Sequence, residues 1–193
     1  MRSDYLNPNS NVSKGFQKLS DMHLEIVDVT PTLSATTYEN KDLMWQPATI
    51  TNAVASVGNA SFLHSITMTQ KIDADNQTDA IDLFFFGKNP TSVTGLGLAD
   101  TADSIETTDS EQKMFLDSEF LGKVPLSEPT LMPSTGAANG AAYLTVTNIG
   151  LPLQSTSGSK DVYFIGVMQD KNTTDPLTYA DGDLLFRFGI MRD

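Results

Sequence analysis

Apolar and polar residues alternate with a period of two along several stretches of this chain, and that period predicts strands. From Phe62 to Thr69, Phe62, His64, Ile66 and Met68 fall on one side and Leu63, Ser65, Thr67 and Thr69 on the other. Ile81–Phe86 sets Ile81, Leu83 and Phe85 against Asp82, Phe84 and Phe86. Ala142–Ile149 and Leu184–Met191 alternate in the same way. His23–Val29 stops at Thr30-Pro31, Ala48–Val54 is rich in β-branched residues, and Val162–Met168 is an apolar run broken by Gly166. Between the first and second of these alternating segments, Asp73–Thr78 has the Asp and Asn content of a hairpin loop. Turns are also expected at Val57–Ala60, Ser155–Lys160 and Asp181–Asp183, and loops over 31–47 and 125–140, which Pro and Gly punctuate.

One stretch reads as a short helix. Ser110–Leu121 carries Met114, Leu116, Phe120 and Leu121 as its apolar residues, with Asp109 or Ser110 as N-cap. Strands without alternating βαβ units predict an all-β protein, an antiparallel β-sandwich or jelly-roll-like domain with one short helix. A β-barrel is the nearest alternative. Residues 1–20 show neither period and read as an extended N-terminal arm. The expected organisation is this arm, then a single β-sandwich domain over 21–193 with an acidic insertion around 90–140. The length of 193 residues fits that organisation. A domain of this size buries roughly 70% of its unfolded surface and needs no disulfides.

Charge and composition narrow the chemistry. There are 12 Lys and Arg, 24 Asp and Glu, 2 His and no Cys, a net charge of −12. The absence of Cys excludes a disulfide scaffold and thiolate-ligated zinc or iron–sulfur sites. The acidity argues against nucleic acid as a partner, because phosphate contacts need clustered cations. No apolar h-region follows Arg2 and no membrane-length apolar run occurs, so neither secretion nor a membrane partner is expected. The N-x-S/T triplets at Asn11, Asn59, Asn76 and Asn172 arise by chance in so Asn-, Ser- and Thr-rich a chain. The run Asp73–Glu119 holds 11 acids against 2 Lys, a net of −9, and reads as a solvated acidic face or a patch for a basic partner.

Few constellations carry chemistry. Asp73, Asp75 and Asp79 are spaced as carboxylates that converge on a hard cation, but the EF-hand template lacks its Gly and its final Glu. An acidic turn is the first reading, and no metal or cofactor is expected. Gly95-Leu96-Gly97 lacks the third glycine of a dinucleotide fingerprint, and Gly158-Ser159-Lys160 is not a P-loop. His23 and His64 lie in strands without a nucleophile motif, so no catalytic residue is assigned and no enzyme is expected. Trp45, the single Trp, is read first as an anchor of its loop to the core. It is also a candidate for stacking on a sugar or a partner protein, with Tyr38 beside it for the sugar. The arm residues Tyr5, Leu6 and Phe16 join Trp45 as candidate partner contacts.

Ile50-Thr51-Asn52-Ala53, Asp73-Ala74-Asp75-Asn76-Gln77 and Ala80–Phe86 together resemble segments of the auxiliary head proteins of tailed bacteriophages. Tyr179–Asp193, with Asp183-Leu184-Leu185, is similar to their closing strand. The resemblance covers both ends of the β-domain and not the acidic middle, and it carries no catalytic residue. It implies a capsid decoration, or cement, protein on the virion surface, bound to the major capsid protein as a dimer or trimer and made in the host bacterial cytoplasm. The lack of Cys fits folding in that reducing compartment. The alternative is a carbohydrate- or receptor-binding β-sandwich module of a tail, baseplate or head fibre.

Overall fold

The computed structural model describes residues 23–33, 37–38, 42–57, 59–72, 80–90, 115–132, 140–156, 158–169 and 177–192. The alternating segments form strands. In chain order these are β1 His23–Val29, β2 Thr37–Tyr38, β3 Ala48–Ile50, β4 Ala60–Ile72, β5 Ala80–Phe86 and β6 Phe120–Leu126. They continue as β7 Thr130–Leu131, β8 Gly140–Gln154, β9 Val162–Gln169, β10 Leu177–Thr178 and β11 Leu184–Arg192.

Two antiparallel sheets pack face to face, one ordered β1-β11-β4-β8-β7 and the other β3-β9-β5-β6. Their connectivity is nested. β1 pairs with β11, β3 with β9, β4 with β8 and β5 with β6, so early strands meet late ones in reverse order. The ladders β11–β4 and β9–β5 join these ribbons side by side. Such a rolled double ribbon is the jelly-roll form of the β-sandwich, as the alternation predicts. A short β2–β10 ribbon lies beside it.

The inward faces supply one core. Leu63, Ile66, Met68, Phe186, Phe188 and Ile190 come from the five-stranded sheet, and Ile81, Leu83, Phe85, Phe164 and Met168 from the four-stranded one. Gly166 faces this core between Phe164 and Met168 and leaves a gap there. The Trp45 ring fills it, held because Met44 donates its N–H to the Gly166 carbonyl at 2.8 Å. A Cβ on Gly166 would stand 2.0 Å from the Trp45 ring. The ring touches Phe164 of β9 (5.8 Å between centroids) and Phe186 of β11 (5.4 Å), so one side chain bridges both sheets. The other face of the four-stranded sheet carries a second cluster, where Leu43, Phe86 and Ile165 pack with Phe84 and Phe115.

The structure corrects several expectations. β4 and β5 are not a hairpin: they belong to different sheets, so the Asp73–Thr78 segment joins the layers. A bulge at His64 shifts the register of β4 against β11 and inverts its phase. Leu63 is buried with Ile66 and Met68, and Phe62 is turned outward. The Ser110–Leu121 helix is reduced, among the described residues, to one turn at 115–117. Phe120 and Leu121 instead open β6, whose Pro125 lies on an edge strand, where a missing N–H costs no ladder bond. The insertion expected around 90–140 thus includes a strand of the four-stranded sheet. β8 continues past Ile149 to Gln154 through a kink, with positive φ at Asn148 (57°) and Gly150 (69°).

Because Trp45 occupies the space of a missing side chain, Gly166→Ala is expected to be strongly destabilising. Overpacking of this kind costs about 1–3 kcal/mol, and a backbone-borne Cβ against a closed ring belongs at the upper end. Urea unfolding followed by the fluorescence of the single Trp measures it. An unchanged midpoint would mean that the ring steps aside freely.

Candidate interaction surface

The outward face of the five-stranded sheet follows from its registers. Val27 and Val29 pack on the core, so Leu24, Ile26 and Asp28 point outward from β1. The first cross-strand row reads Leu24, Met191, Phe62 and Pro152. The next reads Ile26, Gly189, Ser65 and Thr147, and the third Asp28, Arg187, Thr67 and Thr145. Leu185, Thr69, Tyr143 and Thr130 complete the face. Leu24 and Ile26 are 52% and 51% exposed and Phe62 is 44% exposed, so an apolar row crosses four strands at one end of the face. Threonines fill its middle, where the Thr67 and Thr145 hydroxyls lie 3.1 Å apart.

The carboxylates of β1 are spent on arginines of β11. Arg187 donates from Nε (2.8 Å) and Nη2 (3.0 Å) to the two oxygens of Asp28. The hydrogen bond from Arg187 holds the Asp28 carboxyl below its ordinary value; desolvation opposes it, and the Arg187 charge adds to it. The same bond raises the Arg187 guanidinium. Arg192 binds the Glu25 carboxylate and donates to the Asn52 carbonyl. At that end His23, Asn52, Val54, Ala55, Lys160 and Arg192 line an open cleft of about 210 Å³.

Edges matter as much as faces, since an unpaired strand edge offers free N–H and C=O groups. β3 and β7 are edge strands of 3 and 2 residues. β6 carries Pro125 and a register shift at Phe85/Phe86. β1 differs: it has 7 residues in unbroken register with β11, and no described strand is hydrogen-bonded on its other side, although β3 of the facing sheet lies near it.

The residues singled out from the sequence are distributed otherwise. Trp45 is fully buried, which makes it the core anchor and removes it as a partner contact or stacking platform. Tyr38 is fully buried too and donates its hydroxyl to the Met44 carbonyl at 3.0 Å. Tyr5, Leu6, Phe16, Asp73, Asp75 and Asp79 lie outside the described residues. Of the acidic run, Asp82 lies on the outer face of the four-stranded sheet beside Phe84, is buried there, and accepts from Lys123 at 2.9 Å, so its charge is already paired. Asp117 and Glu119 are exposed, and the other acids of the run lie outside the described residues. Sequence reasoning missed Leu24, Ile26, Phe62 and Met191. The available signal was the run HLEIVDV, which is apolar on both faces. Among the described residues no cluster of His, Asp and Glu is arranged to hold a metal ion, and no helix is long and apolar enough to cross a membrane.

Comparisons with known proteins add little. No family model matches the chain, and no curated protein does. Among solved structures, Desmodium yellow mottle tymovirus aligns over 88% of this chain and 86% of its own, at 10% identity and a TM-score of 0.26. The K3 adhesin domain of Lys-gingipain from Porphyromonas gingivalis W83 aligns over 86% of this chain and 72% of its own, at 10% identity and a TM-score of 0.27. Neither likeness bears on what this chain binds.

The Asp28–Arg187 pair predicts a pH response with a definite sign. A carboxyl held low in the folded state adds stability above its unfolded value, and that stability is lost as pH falls through the folded value. The pair is exposed on both sides, so the effect on unfolding is small. In a carboxyl NMR titration Asp28 is expected to titrate below the ordinary Asp range, and Arg187→Gln to return it there.

Proposed function

We propose that this chain is a structural virion protein that decorates the head of a tailed bacteriophage, bound to the major capsid protein on the outer surface of the shell. The observation that carries the proposal is the outward face of the five-stranded sheet, threonine-rich and crossed by the row Leu24, Met191, Phe62 and Pro152. Small-molecule sites are concave and enclose their ligand. Broad faces with contiguous apolar residues bind other macromolecules by area. The head-protein resemblance of residues 50–53, 73–77 and 80–86 supplies the kind of macromolecule. Residues 1–20 reach along neighbouring subunits and order on contact, adding affinity through a tethered second site. The protein works without cofactor or catalysis, is made in the host cytoplasm and joins the capsid after folding. The carbohydrate-binding alternative loses its stacking residues, since Trp45 and Tyr38 are interior.

Purified protein is expected to occupy assembled capsids, and cryo-EM of virions to show its copies on the head. Virions that carry none would reject the proposal. Phe62→Asp, on the exposed row and away from the core, is expected to weaken capsid binding at least tenfold, about 1.4 kcal/mol, with Trp45 fluorescence unchanged. Deleting residues 1–20 is expected to lower occupancy further, and unchanged occupancy would remove the arm from the attachment.

A further inference from the structure

We propose that β1 is the docking site for a second copy of this chain. β1 pairs antiparallel with β1 of the partner across a two-fold axis at Ile26, and the two five-stranded sheets become one.

Three observations converge on this occupant. The first is the edge. Of the described edge strands, β1 alone combines length, unbroken register and freedom from proline. Proteins ordinarily blunt such an edge, because it recruits another strand.

The second is charge. Two copies of a chain with net charge −12 repel each other over most of their surfaces. Along β1 that repulsion is removed locally: Arg187 neutralises Asp28, and Arg192 neutralises Glu25. Unpaired carboxylates on an edge would act as gatekeepers against strand addition. Here both are satisfied from within the subunit, and a like-charged copy can approach.

The third is register. A two-fold axis at Ile26 pairs all 7 residues of the strand, from His23 opposite Val29 of the partner to the reverse. Ile26 then faces its own copy on the outward side, where it is 51% exposed. Glu25 faces Val27 and Asp28 faces Leu24, so no like charges stand directly opposite. An axis at Glu25 would set Glu25 against Glu25, which is unfavourable in a cross-strand pair. An axis at Val27 would shorten the overlap. The Ile26 register therefore combines the longest ladder with the best charge arrangement, and a two-fold interface closes at two copies.

The inference does not rest on attachment to a capsid, and either can fail alone. It is tested on the full-length protein in isolation. Sedimentation equilibrium is expected to give a dimer at micromolar concentration. Ile26→Lys is expected to raise the dimer dissociation constant at least tenfold, with circular dichroism and Trp45 fluorescence showing an intact fold. Because the chain has no Cys, Ile26→Cys supplies a unique thiol. It is expected to cross-link into dimers on oxidation, while Thr67→Cys, on the same face but in β4, does not. Hydrogen exchange of the β1 amides is expected to slow with dimerisation. A monomer at every concentration, a trimer, or a dimer unaffected by Ile26→Lys would overturn the proposal. So would β1 amides equally protected in the monomer, which would mean that the chain covers this edge itself.

Discussion

Everything in this sandwich is organised around one side chain occupying the place of another. Gly166 gives up its side chain in the middle of a core strand, and the Trp45 ring fills the space from a neighbouring segment. The ring meets Phe164 on one sheet and Phe186 on the other, and these join Phe85 and Phe188 in a continuous aromatic cluster. Aromatic contacts of this kind contribute about 0.5–1.5 kcal/mol each beyond the area they bury. The arrangement also ties down the chain around it. The 42–44 segment runs beside β9, where Met168 donates to the Asp42 carbonyl at 2.9 Å. Leu43 thereby covers the second aromatic cluster on the far side of the same sheet. A single residue pair thus fixes the spacing of the layers and the cover over one of them.

With the layers fixed, the surfaces take distinct characters. The central strands of the four-stranded sheet, β5 and β9, are buried on both faces and read as nearly continuous apolar runs, as doubly buried strands do. The five-stranded sheet has one free face, where threonines and a few large apolar residues alternate with the buried set. The free face and its β1 edge are electrically quiet because Arg187 and Arg192 sit beside Asp28 and Glu25.

Much of the fold is legible from alternation. Ile81–Phe86 and Leu184–Met191 stand where the period of two places them, and His23–Val29 ends where Thr30-Pro31 bounds it. The losses have physical causes. A bulge inserts one residue without any mark in the pattern, so the phase before His64 reads inverted. Pro125 argues against a strand unless the strand is known to lie on an edge, and strand order is a tertiary fact. The Asp-rich 73–78 segment has turn chemistry whether it closes a hairpin or crosses between sheets. The candidate surface was less accessible still. Leu24, Met191, Phe62 and Pro152 come from four separate strands and become neighbours only through register. Trp45 carried two readings that sequence alone left open, and the glycine that receives its ring stood in plain sight as an interruption of an apolar run.

The nested pairing has a consequence for synthesis. Asp28 and Arg187 are 159 positions apart and lie side by side in the finished sheet. Strands β1 and β3 leave the ribosome long before the strands that complete their ladders. The ladders of β5 with β6, of β7 with β8 and then of β8 with β4 can zip first, from the middle of the chain outward. Folds dominated by such distant contacts form slowly, since the loop must close before the contacts repay it. A nascent chain therefore holds β1, with Leu24 and Ile26, open until β11 emerges, and pairing between nascent chains of one polysome competes with closure during that interval.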